Sequence, residues 1–308
     1  MWFVYALLTV IAWGTADLFY KKGADSEERY SHLKTAITVG FVMGIHAIVT
    51  LLTKKTDFSP RNLLIYLPVS AMYILSMTVG YFGLRYLELS ISSPIQNSSG
   101  AVTCLLCLAV LGQKMSALSA VGVACICLGV FALGVLEKGR QPALQTADEK
   151  YRTGLKAFLM PVLYCVIDAI GTFLDAFYLD DAAATPLVGV TQENIEDVAN
   201  LSYEFTFLLA AVVLLIYVRF IKKEKIGVLQ HKSRCFAAVF EMAGQAVYVY
   251  AMSGNGAVAA PMIASYSIVS LLLSRLFLKE KLTAAQYVVV AVVMAGIALL
   301  GLSEGLAE

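Results

Sequence analysis

Four carboxylic acids stand inside long apolar runs of this sequence: Asp168 and Asp175, Glu204 near the start of its run, and Glu241. A carboxyl in such surroundings can hold a cation or take and release a proton, because desolvation raises its proton affinity toward working pH. An ionisable group at mid-helix costs about 2.5 to 3.5 kcal/mol to insert, so it normally faces a cavity or a partner. Asp168 has no Lys or Arg within four residues in the chain, and Asp175 lies seven residues on. Two helical turns put both on one face with Gly171 and Thr172 between them, polar and narrow enough to line a pathway. The alternative for both is a packing role, held by hydroxyl groups of neighbouring helices. Asp17 differs, since Lys21 follows at the i,i+4 spacing of an ordinary ion pair; Trp13, Gly14 and Tyr20 share its face. Glu241, Gln245, Tyr248 and Met252 follow at steps of four, three and four and form a further stripe.

Other residues qualify this picture. Gln96, Asn97 and Tyr266 are large enough to hold a solute, whereas Ser265, Ser267 and Ser270 read as helix-packing residues. Arg85, Arg219 and Arg275 fall near segment ends, where they are expected to snorkel, so acids outnumber bases in the interior. With 16 tyrosines available, a negative aromatic-lined cavity suits a cationic or zwitterionic small molecule, although most tyrosines read as belt residues at the membrane surface. No GxxxxGK[ST] loop and no HExxH occur. Of His32, His46 and His231 only His46 is within an apolar run, and Cys104-x-x-Cys107 has no partner pair at metal-ligand spacing. The six cysteines read as small apolar filler. Neither a cofactor nor a metal is expected. A net charge of +1 without a basic stripe sets nucleic acid aside as a partner, leaving a small-molecule substrate and the lipid bilayer.

The elements that must position these groups follow from composition. Hydrophobic residues make up 59% and charged residues 15%, with mean hydropathy +0.75, which marks an all-α integral membrane protein. At about 20 residues per crossing the chain has room for ten transmembrane helices. Their approximate bounds are 2–20, 33–52, 63–86, 94–112 and 118–136, then 155–178, 201–221, 236–253, 257–278 and 284–302. The first lacks a positive n-region and a cleavage site and reads as a retained helix.

A repeat joins the two sets. Pro94/Pro261, Ser98/Ser265, Leu105/Leu272 and Lys114/Lys281 fall in register at an offset of 167, which runs back to Tyr81/Tyr248 and on to Gly129/Gly296. Asp17-Leu-Phe-Tyr20 matches Asp175-Ala-Phe-Tyr178 at 158, and the acidic stretch Leu179 to Asn200 accommodates the difference. The expected organisation is a first five-helix repeat over 1–136, a linker over 137–154 and a second repeat over 155–303. Five is odd, so the second repeat is inverted. Loops following the odd-numbered helices carry 19 of the 23 Lys and Arg, which puts them in the cytoplasm and both termini outside.

The doubled helix ends "LGQKMS" and "LKEKLT", the lead-ins "YFGLRYLELSISSP" and "YVYAMSGNGAVAAP", and the glycines of the fifth and tenth helices resemble the EamA-type branch of the drug/metabolite transporter superfamily. The resemblance covers nearly the whole chain. It implies a secondary active transporter, an exporter or exchanger rather than an enzyme, in a bacterial cell membrane as a monomer or homodimer. An intramembrane enzyme and a non-transporting receptor or scaffold are the competing readings. Two features depart from the family pattern: Gln113 stands where a glutamate is usual, as Glu280 keeps it in the second copy, and family members usually have both termini inside.

Overall fold

The computed structural model describes residues 1–25, 27–138, 154–181, 184–226 and 232–306, and among these every regular element is helical. The first part comprises α1 (Trp2–Gly23), α2 (Ser31–Lys54), the short α3 (Arg61–Ile65), α4 (Leu67–Gly83), α5 (Leu89–Asn97), α6 (Ser99–Val110) and α7 (Ala117–Lys138). The second comprises α8 (Gly154–Leu179), α9 (Ile195–Ile216), α10 (Lys232–Met252), α11 (Gly256–Ala264), α12 (Tyr266–Leu273) and α13 (Ala284–Gly305). Single π turns over Tyr217–Ile221 and Ser274–Leu278 extend α9 and α12. Among the described residues eight helices are long and apolar enough to cross a bilayer, counting α11 and α12 as one. The apolar α4 is shorter at 17 residues, and α5 and α6 hold 9 and 12. The linker expected at 137–154 lies largely outside the described residues.

Two boundaries differ from the sequence reading, each for a local reason. α9 starts at Ile195 rather than near 201, with Glu196 and Asp197 in its first turn, where the helix dipole favours acids. Glu204 therefore sits well inside its helix and not at its start. The fourth span starts at Leu89 rather than at Pro94, so Pro94 lies within α5 as Pro261 lies within α11, the residues from Leu89 and Gly256 being already helical. Each proline removes one backbone hydrogen bond and crowds the carbonyl four residues back. Both helices then break four residues later, at Ser98 and Ser265, whose hydroxyls donate to the carbonyls of Pro94 and Met262.

The N-termini of these two broken helices are capped across the molecule. Glu280, just past the end of the α12 π turn, accepts the Leu89 and Ser90 N–H groups at 3.2 and 3.0 Å. Gln113, just past the end of α6, accepts the Ala257 N–H at 2.9 Å and donates its amide to Asp180 at 2.6 Å. Backbone in the left-handed region follows the same helices in both parts: Lys55 after α2 and Lys223 after the α9 extension, Gly112 after α6 and Lys279 after the α12 extension.

The most extensive interfaces pair α1 with α10, α2 with α9, α4 with α8, α6 with α11 and α7 with α13. Each joins an element from before the linker to one from after it. The hydrophobic core accordingly lies between the two parts rather than within either. At the α2–α9 crossing a Cβ on Gly40 would lie 2.3 Å from the Phe207 carbonyl oxygen, so only glycine permits that approach.

Candidate binding cavity in the helix bundle

α1 projects Trp13, Asp17 and Tyr20 from one face toward α10 and α12, as their spacing requires. Asp17 Oδ2 accepts hydrogen bonds from Ser93 of α5 and Ser270 of α12, both at 2.7 Å. Lys21, the ion partner expected from spacing, donates to the carbonyls of Leu84 and Leu87 beyond α4. On α10, Glu241 accepts from Tyr20 Oη at 3.2 Å, and its backbone carbonyl accepts from Trp13 Nε1 at 3.2 Å. On α8, Asp168 accepts from Ser99 at 2.7 Å, and Ser99 is the residue that restarts the helix after the Ser98 break. The hydroxyls of Tyr73 and Tyr248 meet at 2.7 Å and Tyr73 also donates to Thr172 at 2.9 Å, tying α4, α8 and α10 together.

These groups surround a cavity formed by both parts of the chain. Asp17, Asp168 and Glu241 line it on three helices, and no Lys, Arg or His among the described residues does so. Seven tyrosines line it as well: Tyr20, Tyr73, Tyr81, Tyr164, Tyr203, Tyr248 and Tyr266. The Trp13 ring packs against Tyr248 at 5.0 Å and Tyr266 at 5.8 Å between centroids, which builds an aromatic wall beside Glu241. Gln96 lines the cavity at 4% exposure, and its Nε2 has no hydrogen-bond partner in the protein. A buried amide without a partner is costly, so this donor is poised for a group brought in from outside.

Of the ten residues singled out from sequence, eight line this cavity: Trp13, Asp17, Gln96, Asn97, Asp168, Glu241, Tyr248 and Tyr266. The other two lie beside it. Asp175 shares the Asp168 face of α8 but is 1% exposed and accepts the hydroxyl of Tyr66, while Gln245 donates to Asn200 at 3.4 Å. Tyr73, Tyr81, Tyr164 and Tyr203 were not singled out. For Tyr81 a signal existed, since it is the repeat counterpart of Tyr248; for the others periodicity cannot separate an inward tyrosine from one at the membrane surface. The belt reading of most tyrosines is corrected: eight of the 16 are buried, and Tyr164 is a further cavity residue.

A polar cluster closes the bundle beyond Tyr20 and Leu84. Arg234 of α10 donates to Glu28 and Ser31 and to the Gly23 carbonyl, and Lys34 donates to Glu28. Burial acts to raise the Glu28 pKa, but the hydrogen bonds from Lys34 and Arg234 outweigh it and hold the carboxyl below its usual range. Arg85, expected to snorkel, is instead 4% exposed and donates to the Asp25 and Arg29 carbonyls at 2.9 and 3.1 Å. It pins the loop between α1 and α2 onto the end of α4.

The model of the EamA-like transporter family matches residues 1–135 and 182–302. The match leaves out 136–181 and hence α8 with Asp168, whose part in the cavity rests on geometry alone. A crystal structure at 13% identity superposes with a TM-score of 0.65 over 99% of this chain and 98% of its own, a likeness of fold. No curated protein matches the sequence significantly.

Proposed function

The chain belongs to the EamA-like transporter family, and from that premise we propose that it is a secondary active transporter that binds a small organic cation or zwitterion in the bundle cavity and moves it at the expense of a proton gradient, as an exporter or exchanger. The observation that carries this reading is the cavity lining: three carboxyls and seven tyrosines with no basic side chain among the described residues. Such a lining attracts positive charge through the carboxylates and the aromatic faces, and the unpartnered Gln96 amide offers a donor to an acceptor group on the same solute. A cation displacing a proton from a buried carboxyl is the simplest exchange these groups can perform.

The reading includes the architecture. Ten membrane helices result if α4 and the broken pair α5–α6 cross along with the eight longer spans. Inversion of the two repeats is supported by the interface pattern, because exchanging each helix with its repeat counterpart turns the α1–α10 pair into α8–α4 and the α6–α11 pair into α12–α5, which also pack together, and leaves α2–α9 and α7–α13 unchanged. It is supported again by reciprocal capping, since Gln113 and Glu280 are repeat counterparts that each cap the other part's broken helix. Domains of 1–136 and 155–303 around a linker, in a cell membrane, complete the reading, with monomer or homodimer as the assembly.

Orientation follows the Lys and Arg bias, with the segment from Lys222 to Arg234 in the cytoplasm. Labelling Lys225→Cys in intact cells with an impermeant thiol reagent tests this; no reaction until the membrane is permeabilised is expected, and ready labelling reverses the assignment.

The solute reading is tested by thermal shift of purified protein against organic amines, amino acids and neutral sugars at acid and alkaline pH. A ligand that binds only the folded state raises stability by about 2.7 kcal/mol at a hundredfold excess over Kd. Stabilisation by cationic or zwitterionic compounds, stronger at the alkaline pH where the carboxyls are free, is expected. Stabilisation only by neutral or anionic compounds would refute the cation-binding assignment.

A further inference from the structure

The cavity does not account for all the charge inside the bundle. In the seam between α2 and α9, outside the cavity lining, His46 Nδ1 meets both carboxylate oxygens of Glu204 at 2.8 and 2.9 Å. The Glu204 side chain is 1% exposed and that of His46 27%, so one member is interior and the other reaches the outer surface of the bundle. Both belong to helices long and apolar enough to cross a bilayer. The seam has no packing need for charge, since Gly40 already brings the α2 backbone against the Phe207 carbonyl. An ionisable pair kept there at a cost of about 2.5 to 3.5 kcal/mol per charge calls for a use.

A second polar pair lies one turn along the same helix face. Asn200, one turn before Glu204 on the same face of α9, is 8% exposed and accepts the Gln245 amide at 3.4 Å. Gln245 shares its face of α10 with Glu241 and Tyr248, which line the cavity. On the flank of the pair, Thr50 Oγ1 lies 3.5 Å from His46 Nε2. The nearby charged and titratable groups are Lys54 of α2, Asp197 of α9 and Tyr250 of α10. Lys54 is already engaged by Asp197 at 2.7 Å and by Tyr250 at 3.1 Å.

Resting on the reading that flux is proton-coupled, we propose that His46 and Glu204 form a second proton-binding site of the transporter, set in the α2–α9 seam and connected to the cavity through Asn200 and Gln245. The step is a proton transfer only: an N–H bond of the imidazolium breaks and an O–H bond on Glu204 forms, or the reverse. A proton site in the wall adds to the proton exchanged at the cavity carboxyls, so part of the coupling does not depend on competition with the solute for one group.

The test uses a hydrophobic carbodiimide, which reacts with protonated carboxyls, on the full chain in proteoliposomes, with modification of Glu204 read by mass spectrometry. Labelling of Glu204 is expected to decline as pH rises. In His46→Gln, which keeps a hydrogen bond but removes the cation, the midpoint is expected to move up by about one pH unit. With Trp2→Phe as background, the fluorescence of Trp13 in the cavity should show a step at the Glu204 midpoint. That step should vanish in Glu204→Gln and Gln245→Leu, while Glu204 in Gln245→Leu still titrates. Glu204 unreactive at every pH, or a Trp13 step unchanged in Glu204→Gln, overturns the proposal. A titrating Glu204 in a protein whose flux ignores a pH gradient would instead refute the coupling reading while leaving the proton site in place.

Discussion

Single residues in this protein take their meaning from neighbours that are remote in sequence. Asp17 looks like half of a helical ion pair by spacing, yet its carboxylate holds hydroxyls from α5 and α12 and faces the cavity. Asp168 and Asp175 look alike by spacing, yet one lines the cavity and the other is closed over by Tyr66. What was legible was the residue type: an acid deep in an apolar run needs a partner or a cavity, and that argument finds Asp168 and Glu241 without any alignment. What was not legible was the facing helix, because it depends on a tertiary crossing rather than on local periodicity. Glu28 belongs at this scale too. It neutralises Arg234, which is 3% exposed, so Glu28→Gln leaves that charge without its carboxylate and should cost about 3 kcal/mol of stability. Because the folded pKa of Glu28 is depressed, its stabilisation is complete above the ordinary glutamate value of about 4.3 and is lost as pH falls through the lower folded value. Thermal unfolding in detergent across that acid range should show this loss in the native protein and a flatter profile in Glu28→Gln; an equal acid dependence in both would contradict it.

At the level of elements, two helix starts fall earlier than the sequence places them, α5 at Leu89 ahead of Pro94 and α9 at Ile195. Five residues of helix precede both Pro94 and Pro261, and the interruption comes after the proline, at Ser98 and Ser265. The effect reaches the cavity, since the restart at Ser99 aims a hydroxyl at Asp168. The departure of Gln113 from the family glutamate has a physical account on the same elements. Glu280 caps α5 with both carboxylate oxygens, whereas Gln113 caps α11 with one oxygen and gives its amide to Asp180. Gln113→Glu replaces that donor with a second anion beside the exposed Asp180 and should destabilise the protein by about 0.5 to 1 kcal/mol near neutral pH. Asp180→Asn in the same chain should restore most of the loss, since an amide can donate to the new carboxylate. Thermal unfolding of the single and double variants measures this; equal stability of Gln113→Glu and the native protein would remove the account.

For the whole molecule, the two parts of the chain pack against each other more than within themselves, and the cavity lies on the surface they share. Rocking of one part on the other would therefore alter the separation of Asp17, Glu241 and Asp168 directly, which is how a binding event in the cavity can be linked to a change of access. The sequence marked acids deep in apolar runs, and two of them, Asp168 and Glu241, line the cavity. An aromatic lining was legible from composition, but which tyrosines supply it was not, since tyrosines inside and at the edge of a membrane look the same in a linear string. The central claim is that Asp168 is a working acid of a cation cavity. Its direct measurement is flux in proteoliposomes containing Asp168→Asn, using a cation identified by thermal shift and an imposed pH gradient. Asparagine keeps the size and can still accept from Ser99, so a purely structural role predicts flux and pH dependence like those of the native protein. The account predicts a folded, inserted protein whose uphill transport is abolished; native flux with a native pH profile would contradict it.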